Sequence, residues 1–396
     1  MATRWSRLFG AIVAAILLSN LYPYLSNRFR TFSIILGNTP SKLDEVNLLP
    51  NHRVIFEDKL QNCEDVLTIP SQGAAIIGCD RGRDMWNTVM GTFTKNTSSV
   101  PAGNLFLYRY KDSSNPSLSQ IRLTGYASAA QFHPLGIAFN EASSTLLVSN
   151  HHFDGPRIEI FRLDISSHPP VARHLRTIVH PLIRSPNSIV ALKEHEFFFT
   201  NDHYFLIRRN RYLAKLETYA ALPLGGIVHV TLNSDWSVTA RTVANLAYPN
   251  GIALLNASTI AVALTGSCQV KLFDIKTDRS LVSVAEIDVP FFPDNLSSEE
   301  DGVLLISGHP HPPSLERLVK HRIQCMELNL PANCGTLTAP SGVSEWTEKD
   351  GLRRLYLSET GFSASTTAVW DAERRTGVIT GLYGDGILVW GETKGA

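Results

Sequence analysis

The chain has 396 residues with 36 Lys and Arg against 36 Asp and Glu, so its formal charge is zero and only 18% of it is charged. Without a positive excess it is unsuited to sequence-independent nucleic-acid binding, which needs many cations to displace counterions from phosphates. A hydrophobic content of 44% supplies a large core and excludes disorder for most of the chain. The length exceeds a usual domain but still suits a single all-β barrel or propeller.

At the N-terminus, Arg4 and Arg7 precede the apolar run Leu8 to Leu18. A basic start and a short apolar stretch fit the core of a signal peptide and fall short of a self-sufficient membrane span. No A-x-A cleavage site follows, so an uncleaved signal anchor fits as well, with the body lumenal or extracellular. Residues 1–30 are expected to form this signal peptide or anchor as a hydrophobic helix, and 31–396 the folded domain. Entry to the secretory pathway permits disulfides. Cys63, Cys79, Cys268, Cys325 and Cys334 are odd in number, so at least one is free or pairs outside the chain, and the pairing stays open. Asn96, Asn256 and Asn295 begin glycosylation sequons.

From the middle of the chain onward a short phrase recurs: Pro134-Leu-Gly-Ile137, Pro186-Asn-Ser-Ile189, Pro249-Asn-Gly-Ile252, Pro293-Asp-Asn-Leu296 and Pro340-Ser-Gly-Val343, with a divergent first copy at Cys63-Glu-Asp-Val66. Each phrase opens an apolar strand, and a second strand follows that ends in a small or polar residue, as in TLLVSNH to His151, FFFTNDH to His203 and VLLISGH to His309. Six units of roughly 45 to 70 residues, each with several strands, predict an all-β six-bladed β-propeller. Arg208 to Tyr219 and Ser314 to Leu328 carry leucines at helical spacing and are predicted as short helical insertions lying on a propeller face.

In a propeller the first strand of each blade lines the central channel, so the middle positions of the phrase converge. They are Glu64, Asp65, Asn187, Ser188, Asn250, Asp294 and Asn295. Carboxylates and carboxamides without thiol or imidazole suit a hard cation such as calcium, which would offset the repulsion among three like charges. Taken one at a time, these residues would equally cap turns after proline. The second strands bring histidines to the same end: His151 and His152, His203, and His309 and His311. Such histidines serve either as general bases or as hydrogen-bonded structural residues. No G-x-S-x-G, H-E-x-x-H or G-x-G-x-x-G signature is present, which disfavours covalent serine catalysis and dinucleotide chemistry.

The segments NCEDVLTIPSQGAAII (Asn62 to Ile77), HPLGIAF (His133 to Phe139), LLVSNHHFDGPRIEIFRLD (Leu146 to Asp164), PNSIVAL, FFFTNDHYF (Phe197 to Phe205), YPNGIA, DNLS and SGHPH (Ser307 to His311) together resemble the serum paraoxonase/arylesterase family. The resemblance implies a calcium-dependent hydrolase of lactones and aryl esters with small apolar substrates. It implies a catalytic Ca2+ held by Glu64, Asn187, Asn250, Asp294 and Asn295, and a second, structural Ca2+ held by Asp65 and the carbonyl of Ile137. It also implies His151, His203 and His309 as histidines at or near the site, and His133, two residues before Leu135, is a further candidate base. Two positions depart from the pattern: Leu135 stands where the family has a histidine before Gly-Ile, and Ser188 where it has an aspartate. Secretion or membrane anchoring is expected, with membrane or lipid-particle association through the N-terminal segment. Two further readings remain: an inactive, calcium-stabilised binding propeller, favoured by Leu135, and a gluconolactonase-like or strictosidine-synthase-like enzyme, favoured by the PNGI phrase alone.

Overall fold

The computed structural model describes residues 2–111, 116–298, 302–327 and 337–391. Six inner strands organise it: β1 (Gln61–Ile69), β2 (Pro134–Asn140), β3 (Pro186–Lys193), β4 (Pro249–Asn256), β5 (Phe292–Ser298) and β6 (Ser365–Asp371). They neighbour one another in a closed ring, β1 against β2 and so on to β6 against β1. Outward from each of β2 to β5 runs an antiparallel meander in chain order, so the architecture is an all-β propeller with few helices. The β2 sheet gains Arg122–Thr124 at its outer edge and the β5 sheet gains Val46–Asn47, making each five-stranded, while those of β3 and β4 have four strands.

Six separate blades are not what forms. Four sheets stand apart, one eight-stranded sheet contains both β1 and β6, and Trp86–Asn87 pairs with Thr92–Phe93 as a separate two-stranded ribbon. The joint is the strand Thr376–Asp385, which pairs with β6 and then, past a register shift, sets Gly381 opposite Cys63 and Asp385 opposite Gln61 of β1. Gly381 also lies tight against the turn before β6, where a Cβ would sit 2.4 Å from the Ser363 carbonyl. The phrase at Pro340 also sits elsewhere than expected: Ser341–Thr347 is the third strand of the β5 sheet, and the sixth inner strand starts at Ser365 without a proline phrase.

Apolar residues from facing sheets fill the space between them. Phe197, Phe199 and Val230 of the β3 sheet meet Ala138, Leu147 and Ile160 of the β2 sheet, and Ile76 and Leu105 meet Ile137 and Val148. Each large side chain so buried contributes about 1.5–3 kcal/mol. Hydroxyls then tie the end of each second strand to the inner strand of the next sheet near the channel: Ser149 donates to the Pro186 carbonyl at 3.1 Å, Thr200 to that of Asn250 at 2.6 Å, and Thr265 to that of Pro293 at 2.6 Å. These are the polar ends of the second strands noted in the repeat.

Helix α1 (Ala2–Gly37) runs unbroken across position 30. Among the described residues no helix is long and apolar enough to cross a membrane. Its C-terminal part is bonded to the propeller: Tyr24 Oη donates to the Ala220 carbonyl, Arg28 Nη2 to that of Gly266, Arg30 to Ser267 and to Asp288, and Asn38 to Pro290. The two inserted helices are α2 (Arg211–Tyr219), capped by Asn210 Oδ1 accepting from the Leu213 amide, and α3 (Pro312–Glu327). Leu315, Leu318 and Val319 of α3 pack on Ala364, Leu382 and Tyr383, and Tyr219 of α2 hydrogen-bonds Glu316 of α3. A disulfide joins Cys63 to Cys79, which face each other in the sheet, and Cys268 is free and buried. Cys325 is also disulfide-bonded, and Cys334 lies outside the described residues.

Candidate metal centre

In a regular strand, consecutive side chains point to opposite faces, so a strand offers the channel only every second residue. Here each inner strand shifts register at its start: between Cys63 and Asp65, Pro134 and Ile137, Pro186 and Ile189, Pro249 and Ile252, Pro293 and Leu296, and Ser365 and Thr367. A bulge bends the strand and re-aims its side chains. That is how neighbours such as Asp294 and Asn295 are both buried at the channel.

The carboxamides are oriented by their amide hydrogens. Asn295 Nδ2 donates to Glu64 Oε1 (3.1 Å) and Thr367 Oγ1 (3.0 Å), Asn250 Nδ2 to Thr265 Oγ1 (3.2 Å), and Asn187 Nδ2 to Asp202 Oδ2 (3.4 Å). The opposite ends are left over: Oδ1 of Asn187, Asn250 and Asn295, together with Glu64 Oε2, are buried and find no donor. Buried acceptors without partners cost about 1–3 kcal/mol each. Glu64, Asn187, Asn250 and Asp294 line one small cavity of about 40 Å³, with Arg83, Leu135, Tyr248, Thr265, His309 and Leu315 around them. Unpaired, all-oxygen donors about an ion-sized space fit a hard cation.

Burial pushes the Glu64 carboxyl well above its usual range. The Arg83 guanidinium opposes that shift, and the nearby charges of Asp294 and Asp65 add to it. Asp65 is pushed up to about 7, again by burial, against hydrogen bonds from Ile137, Thr367 and Val66. Those bonds bear on the expected second ion. Asp65 Oδ2 accepts from the Ile137 amide (2.8 Å), and Oδ1 accepts from the Val66 amide (2.9 Å) and Thr367 Oγ1 (3.1 Å). Ile137 therefore meets Asp65 through its N–H rather than its carbonyl. With Ser188 adding no carboxylate, Asp65 and Ile137 do not fit a second cation.

Of the four candidate histidines, only His309 lines the cavity. Its Nε2 lies 2.8 Å from Asp294 Oδ2, and its Nδ1 is buried without a partner. His151 is engaged at both nitrogens, donating from Nε2 to the Pro186 carbonyl (2.7 Å) and meeting Thr88 Oγ1 at Nδ1; burial lowers its pKa. His133 Nδ1 sits 3.1 Å from Asp80 Oδ2, with its ring against Phe153. His203 bridges Asp202 (3.0 Å) and Thr218 of α2 (2.7 Å), tying that helix to the propeller. Arg83, Tyr248 and the orienting hydroxyls of Thr265 and Thr367 escaped the sequence reading. Thr265 had a signal, its place at a second-strand end like Thr200, whereas Arg83 in DRGRD had none.

A sequence model of the family described as Arylesterase matches residues 62–323, which span β1 to α3 and so include every residue of this cavity except Leu382. The chain belongs to the arylesterase family. It is 28% identical to serum paraoxonase/arylesterase 2 of Canis lupus familiaris over 263 residues, covering 62% of this chain and 71% of that one. It is 27% identical to serum paraoxonase/lactonase 3 of Oryctolagus cuniculus, covering 66% and 70%. With serum paraoxonase/arylesterase 2 of Bos taurus it shares 29% identity, and the match spans only about half of each, 50% of this chain and 54% of that one. Among solved structures it is similar to a gluconolactonase from Xanthomonas campestris at 15% identity and TM-score 0.49, covering 90% of this chain and 92% of that one.

Proposed function

We propose that this arylesterase-family chain is a calcium-dependent hydrolase of carboxylic esters and lactones. One observation carries the reading: three carboxamides spend their amide hydrogens on the protein and leave three oxygens, with Glu64 Oε2, buried and without donors. Glu64, Asn187, Asn250 and Asp294 at the cavity would hold the ion, together with Asn295. Bound there, calcium supplies Lewis-acid stabilisation of the oxyanion that develops on the substrate carbonyl. Asp294 orients His309 through Nε2–H, leaving the Nδ1 lone pair to take a proton from water as general base. The water oxygen bonds to the carbonyl carbon, the carbon–oxygen ester bond breaks, and the alkoxide leaves with a proton. Val89, Met90, Leu135, Leu315 and Leu382 line the same cavity and exclude water from around the ion's oxygens.

The eight-stranded sheet reads as two blades sharing the β1 edge, which completes a six-bladed ring. The Cys63–Cys79 disulfide and the exposed sequons at Asn96 and Asn256 support a secretory location. Exposed Leu21, Tyr22, Leu25 and Phe29 of α1 lie on the helix whose Tyr24 bonds the Ala220 carbonyl at the end of α2, where Tyr212 and Leu216 are exposed. That apolar face supports association with a membrane or lipid particle, to be read by cosedimentation with phosphatidylcholine vesicles. Leu135 at the cavity favours the second reading, a binding propeller without catalysis. Calcium-loaded protein assayed on aryl esters and lactones decides between them: turnover abolished by chelator is expected, and no turnover on any of them sinks the hydrolase.

A further inference from the structure

The oxygen donors of the cavity stand beside one fixed cation. Arg83 lines the cavity and is buried. Its Nη2 donates to the Pro134 carbonyl at 3.0 Å, its Nε has no acceptor, and among the described residues it forms no ion pair. The turn Arg81–Asp84 that carries it is tied on both sides. Asp80 Oδ1 accepts from the Gly82 amide at 2.9 Å, and a Cβ at Gly82 would lie 2.3 Å from the Pro101 carbonyl, so only glycine fits. The carboxylates nearest in the chain have other partners: Asp84 is gripped by Arg322 of α3 at 2.8 Å, and Asp80 lies 3.1 Å from His133 Nδ1.

Four charged side chains meet there: Glu64 and, acting on it, Arg83, Asp294 and Asp65. Asp65 does not line the cavity, but it is buried next to Glu64 and shares Thr367 Oγ1 with Asn295. Asp202, behind Asn187, is matched by His203, which donates from both ring nitrogens. His309, which donates from Nε2 to Asp294 and keeps Nδ1 bare, adds no charge. Three carboxylates and one guanidinium leave two negative charges, so a divalent ion brings the buried set to zero. A trivalent ion on the same oxygens would leave one positive charge buried without a counter-charge, which is costly. Without Arg83 the set would match a trivalent ion instead.

We propose that Arg83 is the fixed counter-charge of this centre and sets it for a divalent cation against a trivalent one. This rests on the calcium reading above. A guanidinium repels an ion in proportion to the ion's charge, so its removal favours a trivalent ion more. Even at roughly 10 Å and an effective dielectric of about 20, one extra ionic charge makes a difference of more than about tenfold in affinity. The probes are calcium and terbium(III), which is close to calcium in size and carries one more charge. Terbium emission, excited through Tyr248 of the cavity wall, is titrated and then displaced by calcium, which gives the ratio of the two dissociation constants. Damage to the pocket weakens both ions and largely cancels in that ratio. Arg83→Gln is expected to shift the ratio about tenfold or more toward terbium, with Arg83→Met as the neutral variant if Arg83→Gln does not fold. Arg83→Lys keeps the charge and should stay near wild type, whereas Asp65→Asn removes a negative charge and should shift the ratio toward calcium. A ratio that the neutral variant leaves unmoved, that Arg83→Lys moves as far, or that Asp65→Asn moves toward terbium overturns the proposal and leaves the calcium centre standing. Wild-type protein that binds neither ion sinks the calcium centre and the proposal with it.

Discussion

Asn295 donates from Nδ2 to Oε1 of Glu64 at 3.1 Å, joining positions 231 residues apart. Both side chains are buried at 2% exposure, so the Asn295-Leu-Ser sequon is closed to a glycan once the propeller forms. Peptide mapping of protein from a glycosylating host should find glycans only among Asn96 and Asn256, which are exposed; a glycan on Asn295 in folded protein contradicts this burial.

Without an ion, the buried Glu64 carboxylate opposes folding, because burial and the charges of Asp294 and Asp65 disfavour its ionised form. Glu64→Gln keeps the shape and removes the charge. In chelator the variant is expected to melt at or above the wild type, whereas in calcium the order reverses as the wild type alone gains the linkage stabilisation. Thermal scans with and without calcium read both; a variant less stable than wild type in chelator contradicts the argument.

Thr265 serves two partners, donating to the Pro293 carbonyl and accepting from Asn250. Thr265→Val removes the hydroxyl at near-constant volume and leaves a buried carbonyl and an amide unpaired, a cost of about 1–3 kcal/mol. Denaturant unfolding should show that loss. Terbium luminescence titration should show weaker ion binding, because the Asn250 amide loses the bond that orients it.

His203 faces an acceptor at each ring nitrogen, Asp202 at Nδ1 and Thr218 at Nε2, while the Thr218 hydroxyl itself donates to the Ala214 carbonyl. Both nitrogens therefore donate. Burial lowers the pKa of His203, and the hydrogen bond and charge of Asp202 outweigh it, so the net shift is upward. A raised folded pKa contributes stability that is complete below the unfolded value of about 6.5 and is lost as pH rises through the folded value. Hydrogen exchange of α2, corrected for intrinsic rates, should accelerate from pH 6 to pH 8.5, and His203→Gln should abolish that change. Equal protection at both pH values in the wild type contradicts it.

Cys268 is fully buried, and burial pushes its thiol up to about 12, against the nearby charges of Arg30 and Arg28. A neutral, enclosed thiol is a poor nucleophile. It should resist Ellman's reagent at pH 8 in the native state and react fully after denaturation.

The sequence by itself determined the all-β repeat and brought Glu64, Asn187, Asn250, Asp294 and Asn295 forward as buried channel residues, because strand period and the recurring phrase are local patterns. It could also place α2 and α3 within a few residues from leucine spacing. Only the tertiary structure decided that Thr376–Asp385 joins β6 to β1, that Asp65 is satisfied by protein donors, that His309 rather than His151 reaches the cavity, and that Arg83 enters it. Each of those depends on groups far apart in the chain. A bulge, a buried amide or a neighbouring hydroxyl sets which way a side chain faces, and residue type alone carries no record of that neighbour.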